Sequence, residues 1–296
     1  MFRTIGNTFD LMRLSWRVLM GDKALLVFPV LSGLAGLAAI TSGAGVLFAG
    51  HFFDRMDAGQ TPTIFDLVLL FLFYILTSFG VIYFNAALVA AVYDRMQGGD
   101  GSVRYGLEIA NERIGAIFWW SVIAATVAFI LRVVISDRGV PGRIAASLLG
   151  AAWGFLTFFA VPALIIENVS PIEAIGRSSS LIGETWGKRI VGNFGFGLAY
   201  FAVLIVALVP AGIAFGLAGA ALAIVLGLLV SLPLLLIGVA AIKAMEGIFN
   251  VALYNFACGG ANRDFPAPML KNAYVQKSDR GSWRGDPYLD RQQPAI

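Results

Sequence analysis

The sequence has one cysteine, Cys258, and one histidine, His51. No internal disulfide can form, and no cluster of Cys and His ligands can close on a metal within one chain. A Ser-His-Asp triad would have to use His51. Charge is scarce too. Only 13% of the 296 residues are Asp, Glu, Lys or Arg, where a soluble domain carries about a quarter. No Walker loop, GxSxG elbow, HExxH or paired-carboxylate motif occurs. Gly98-Gly99-Asp100-Gly101 lacks the Lys-Ser/Thr and the strand that a phosphate loop requires, and reads as a helix-ending turn. These gaps argue against conventional enzyme chemistry, and they leave no cofactor or metal to expect.

What the chain has instead is apolar length. It is 58% hydrophobic. Six stretches, near 24–50, 64–92, 114–131, 144–166, 190–209 and 219–242, supply about the 20 residues that a helix needs to cross a hydrocarbon core of about 30 Å. The ten-residue alternating segments of a barrel are missing, which leaves helices as the spanning element. Lys and Arg near the spans divide 13 to 4 between the two sides. That asymmetry places both termini in the cytoplasm. The net charge of +3 fits lipid headgroups better than nucleic acid. The outer connections at 51–63, 132–143 and 210–218 are too short to fold alone. Trp119 and Trp120 are placed to join an interfacial aromatic belt.

Three loops on the basic side share a helical period. Ile5, Phe9, Met12, Trp16 and Leu19 precede span one; Val103, Leu107, Ala110 and Ile114 lead into span three; Ile172, Ile175, Ser179, Ile182 and Trp186 precede span five. Each series marks one face of a helix, with Arg13, Arg17, Arg104, Glu108, Glu112, Arg177 and Glu184 off the stripe. Such helices can lie in the membrane interface as elbows, each feeding a two-span hairpin. Ser170-Pro171-Ile172-Glu173 carries an N-cap, a proline at N1 and a capping-box acid at N3. The reading is therefore an all-α polytopic bundle of six spans in three elbow-hairpin units. Residues 1–23 form the first elbow, 24–260 the membrane domain, and the Pro-rich 261–296 a disordered tail.

A second repeat links spans two and six. Phe84-Asn85-Ala86-Ala87-Leu88 runs on to Gly98-Gly99, and Phe249-Asn250-Val251-Ala252-Leu253 runs on to Gly259-Gly260. Both helices are expected to continue past the hydrocarbon to glycine stops. Asn85 and Asn250 are the candidate site. They can line a polar cavity between the first and last hairpins, or hydrogen-bond between helices for about 0.6–2 kcal/mol. Lys243 and Glu246, three apart, can pair at the edge of span six. Such a pair could mark an ion path, or simply snorkel to the interface. The Arg132, Asp137, Arg138 and Arg143 cluster reads as a solvated outer loop. Pro29, Pro162 and Pro233 can kink spans, and Gly212 and Gly216 form a GxxxG pair at the outer turn.

Ser15-Trp16-Arg17-Val18-Leu19, Tyr83-Phe84-Asn85-Ala86-Ala87-Leu88 and the run from Pro171 through Ser178 to Thr185-Trp186-Gly187 resemble a family of bacterial multi-pass membrane proteins of unknown function over about residues 2–260. More distantly, the Pro-x-x-Ala-x-x-x-Ser elbow is similar to the membrane domain attached to some glycerophosphodiester phosphodiesterases. The resemblance implies architecture and a bacterial inner membrane, and it brings no catalytic residues. The functional expectation is a non-enzymatic protein that acts through membrane lipids, a membrane-protein partner or a second copy of itself. A small-solute or ion permease is the alternative.

Overall fold

The computed structural model describes residues 2–50, 55, 59, 61, 63–135, 139–186, 196–260, 265 and 270. His51, Asp137, Arg138, the basic pair at 188–189, the start of the fifth apolar stretch and nearly all of the tail lie outside them. The described residues are helical, without strands, and include six helices long and apolar enough to cross a membrane. The fold is an all-α polytopic bundle.

Helix α1 (Phe2–Gly21) is the first elbow. A 3-10 turn at Lys23–Leu26, capped by the Asp22 carboxylate accepting from Ala24 N–H, leads into α2 (Val27–Ala49), the first span. Span two is α3 (Ile64–Gln97), opened by a Thr63/Asp66 capping box. The second elbow is α4 (Val103–Glu112), and α5 (Ile114–Phe129) is span three. Span four starts as α6 (Gly139–Leu156), breaks, and resumes through Ala160–Pro162 and the π-helical Ala163–Glu167. The third elbow is α7 (Pro171–Trp186), with the expected box made by Ser170 N–H donating to Glu173 (2.9 Å) and Glu173 N–H donating to Ser170 Oγ (3.4 Å). Span five is α8 (Phe196–Ala218). Span six runs through α9 (Ala220–Leu226), a π-helical stretch (Gly227–Ser231) and α10 (Leu232–Ala257).

Two connections differ from the sequence expectation: Arg132 lies in the π-helical Ile130–Ile135 and Arg143 in α6 rather than in a loop, and the turn after span five comes later than expected. Helix α8 continues through Pro210 to Ala218, and the chain reverses at Gly219, whose φ is +78°. A transmembrane helix can absorb a proline by local adjustment. The stop comes where glycine reaches the left-handed region without penalty. Gly212 and Gly216 therefore lie within the helix, and an added Cβ at either would meet nothing within 4 Å, so they make no close helix contact among the described residues.

The elbows pack in a consistent way. Helix α4 folds back on α3, the span that precedes it, and α7 folds back on the lower part of span four. Helix α1 packs on α10. The faces that make these contacts set small residues beside large ones: Ser15 with Val18 and Leu19 in α1, Ala174 and Ser178 with Leu181 and Ile182 in α7, while α4 buries Gly106 and Ala110. Gly106 rests on backbone, since an added Cβ would come within 2.5 Å of the Ala87 carbonyl oxygen. The large apolar residues of the stripes divide. Leu19 and Ile182 turn inward, whereas Trp16, Ile114 and Ile172 stay exposed, as suits a helix with protein on one side and lipid on the other. The tryptophan pair divides likewise. Trp119 is 60% exposed, but Trp120 is 4% exposed and stacks on Trp153, so only Trp119 suits an aromatic belt.

Candidate functional site

The glycine stops of α3 and α10 share one geometry. Gly98 and Gly259 take φ of +100° and +78°. Gly99 N–H donates to the Asp94 carbonyl at 2.9 Å, and Gly260 N–H donates to the Asn255 carbonyl at 2.8 Å. Aligned on these ends, Asn85 matches Glu246, not Asn250, because each precedes its first glycine by 13 residues. The two Phe-Asn-x-Ala-Leu motifs are thus displaced by about one turn of helix, and their asparagines have different surroundings.

Asn250 serves the break in span four. Pro162 has no N–H for the carbonyl four residues earlier, that of Phe158. Asn250 Nδ2 donates to this carbonyl at 3.1 Å from across the bundle. One residue on, Phe159 N–H would bond Phe155 in a regular helix, but that carbonyl accepts from Phe158 N–H at 3.2 Å. Phe159 N–H donates instead to the buried Ser178 Oγ of α7 at 2.9 Å. Below the break, Arg177 Nε donates to Glu167 at 2.9 Å, and Cys258 Sγ lies 3.8 Å from the same carboxylate. Elbow three and span six therefore hold the kink together. Desolvation pushes the Cys258 thiol above its ordinary value, which disfavours a thiolate.

Asn85 is exposed and has no hydrogen-bond partner among the described residues. Lys243 and Glu246 form the expected pair, Nζ donating to Oε2 at 2.9 Å. Sequence reasoning missed their third member, Tyr200 of span five. Its hydroxyl donates to Glu246 Oε2 at 3.0 Å, and its ring lies 5.5 Å from Lys243 Nζ. Its signal was weak, because a lone tyrosine in an apolar span reads as packing.

All four candidate residues open on one cavity of about 1290 Å³ between spans one, two, four and six. This exceeds the roughly 300–1,000 Å³ of ordinary small-molecule pockets. Its walls are chiefly apolar: Phe28, Leu34, Leu37 and Ile40 of span one, Val81 and Leu88 of span two, Phe155 and Phe158 of span four, Leu236 and Ile237 of span six. Leu34, Leu37, Ile40, Leu236 and Ile237 are also exposed, so the cavity is continuous with the surface that faces lipid. Asn85, Lys243, Glu246 and Asn250 gather at the end toward the elbows, with Ser32 level with Asn85 and Thr77 deeper. From Asp66, where Arg55 pairs at the outer edge, 20 residues reach Ala86, about the 30 Å of a hydrocarbon core. The polar end therefore lies about one hydrocarbon thickness along α3 from Asp66. Among the described residues no group of three or more His, Cys, Asp or Glu could hold a metal ion.

No curated protein and no solved structure matches the chain. Residues 64–264, about two thirds of the sequence, match the model of a family of unknown function, DUF6159. The chain belongs to that family, and the matched region takes in both glycine stops, the break in span four and the polar end of the cavity.

Proposed function

We propose that this protein is a non-enzymatic membrane protein that holds a lipid in the cavity between spans one, two, four and six. The observation that carries the proposal is an apolar space of about 1290 Å³, open to the lipid-facing surface, with amide and charged groups gathered at the end toward the elbows. Acyl chains are the natural contents of a cavity walled by exposed leucines. A solute path would need polar walls along its length. The Lys and Arg excess on the elbow side supports a cytoplasmic elbow face and a bacterial inner membrane. The likeness to the phosphodiesterase-associated membrane domain belongs to this proposal as architecture only. The amphipathic elbows would lie in the same leaflet as the bound headgroup, ready to pass its occupancy to a partner.

The test uses two glycines on the cavity wall. An added Cβ at Gly33 or Gly154 would meet nothing within 4 Å, so Gly33→Phe with Gly154→Phe fills the space while leaving helix packing intact. Purified wild-type protein is expected to carry lipid through detergent washing in native mass spectrometry. The double variant is expected to lose most of it at nearly unchanged thermal stability. Wild type that retains no lipid, or that moves a defined solute across liposomes, would overturn the proposal.

A further inference from the structure

The polar end of the cavity restricts what headgroup can sit there. Glu246 Oε2 already accepts from Lys243 and Tyr200, while Oε1 has no partner among the described residues. Asn250 uses Nδ2 on the Phe158 carbonyl, which fixes the amide orientation because only the nitrogen can donate there. Its Oδ1 is left buried with no partner. Glu246 Oε1, on a side chain that lines the cavity, is therefore the open acceptor at this end. Lys243 retains N–H donors beyond its bond to Glu246, and the Asn85 amide is unpaired. The cavity lining thus offers one acceptor and several donors, with no net charge from its one ion pair.

Resting on the lipid-binding reading above, we infer that this end of the cavity selects a zwitterionic phospholipid whose headgroup carries a primary ammonium, the phosphatidylethanolamine class. The ammonium donates an N–H to Glu246 Oε1. The phosphate accepts from Lys243 and Asn85. A quaternary choline has no N–H to give Glu246 Oε1, and an anionic glycerol headgroup would set a second negative charge near Glu246 without neutralising it. The apolar volume below the site commits the headgroup to a lipid rather than to a free amine.

The full chain is reconstituted into vesicles of phosphatidylethanolamine, phosphatidylcholine and phosphatidylglycerol in equal parts with matched tails, re-extracted, and its retained lipid measured by mass spectrometry. Phosphatidylethanolamine is expected to exceed phosphatidylcholine by about tenfold, the effect of one hydrogen bond to a charged group. Glu246→Gln is expected to bring that ratio toward one. The mono-, di- and trimethylated headgroup series gives the same test on wild-type protein, with retention falling as N–H is replaced. Glycerophosphoethanolamine, the headgroup without tails, is expected not to displace the bound lipid; displacement by it would overturn the assignment to a lipid. Retention without headgroup preference, or with preference for phosphatidylglycerol, overturns this inference and leaves the cavity reading standing. Absence of retained lipid overturns the cavity reading itself.

Discussion

The two halves of the bundle are built on different terms. In α3 the residues from Ala86 to Val92 are buried without a break, so the helix is enclosed on every side, whereas between Ile64 and Asn85 only Asp66 is buried. The elbow-side half has the dense core of a water-soluble protein, joining Leu19 and Phe28 to Phe159, Ile248 and Tyr254. It also holds most of the polar contacts between helices: Arg95 with Asp22 at 2.8 Å, Tyr83 with Asn111 at 2.8 Å, Asn250 with Phe158, and Ser178 with Phe159. The outer half shows exposed leucines and valines on α3, α8 and α9, and composition alone places it in lipid. The difference teaches where specificity can reside. The outer half needs only to be apolar. The elbow-side half depends on individual side chains, and the cavity opens along the boundary between the two.

That contrast can be broken first at glycine. Gly106→Ala puts a methyl against the Ala87 backbone and the Phe28 ring and should lower stability by about 3 kcal/mol, the upper range for overpacking. Gly45→Ala, in the outer part of α2, meets open space and should change stability by no more than about 1 kcal/mol. Thermal unfolding in one detergent checks both; equal effects would erase the distinction between the halves.

The two asparagines sharpen it next. Asn250→Leu leaves the Phe158 carbonyl without its cross-bundle donor and should destabilise by about 2 kcal/mol. Pro162→Ala returns an N–H to the same carbonyl, so the double variant should recover a good part of the loss. Asn85→Leu should stay within about 0.5 kcal/mol, because no contact is broken. A double variant no better than Asn250→Leu alone would sever Asn250 from the break.

The smallest effect is one of pH. Hydrogen bonds from the Ser170 backbone, and then from its hydroxyl, hold the Glu173 carboxyl below its ordinary value of 4.5. A carboxylate depressed on folding stabilises the folded form above its unfolded pKa, and that support is lost as pH falls through the folded value. Protection of the first-turn amides of α7 should therefore fall in this acid window, and the pH dependence should vanish in Glu173→Gln.

The six spans, the three elbows and the glycine stops were legible in the sequence because apolar length, 3.6-residue periodicity and Gly-Gly pairs are local signals. The contact between Lys243 and Glu246 was legible for the same reason, being three residues apart on a helix. What Asn250 does was not. Pro162 announces an orphan carbonyl, but its donor lies 92 residues away in sequence from Phe158. The matching of Asn85 with Asn250 followed five letters of sequence, while helix depth is set by the glycine ends, which align Asn85 with Glu246. The elbow contacts were hidden differently. A hydrophobic stripe counts large side chains and so found Leu19 and Ile182, but the surfaces that seat α1, α4 and α7 also use Ser15, Gly106, Ala110, Ala174 and Ser178, whose value is closeness rather than hydrophobicity.

The central claim is that the cavity holds a lipid with its headgroup toward the elbows. Electron microscopy of the full chain in lipid nanodiscs tests it most directly. The account predicts chain-like density running from the level of Glu246 and Asn250 along Leu37 and Leu236, between spans one and six. A cavity closed by Phe155 and Phe158 with no density in it, or a column of water joining the two sides of the membrane, would contradict it.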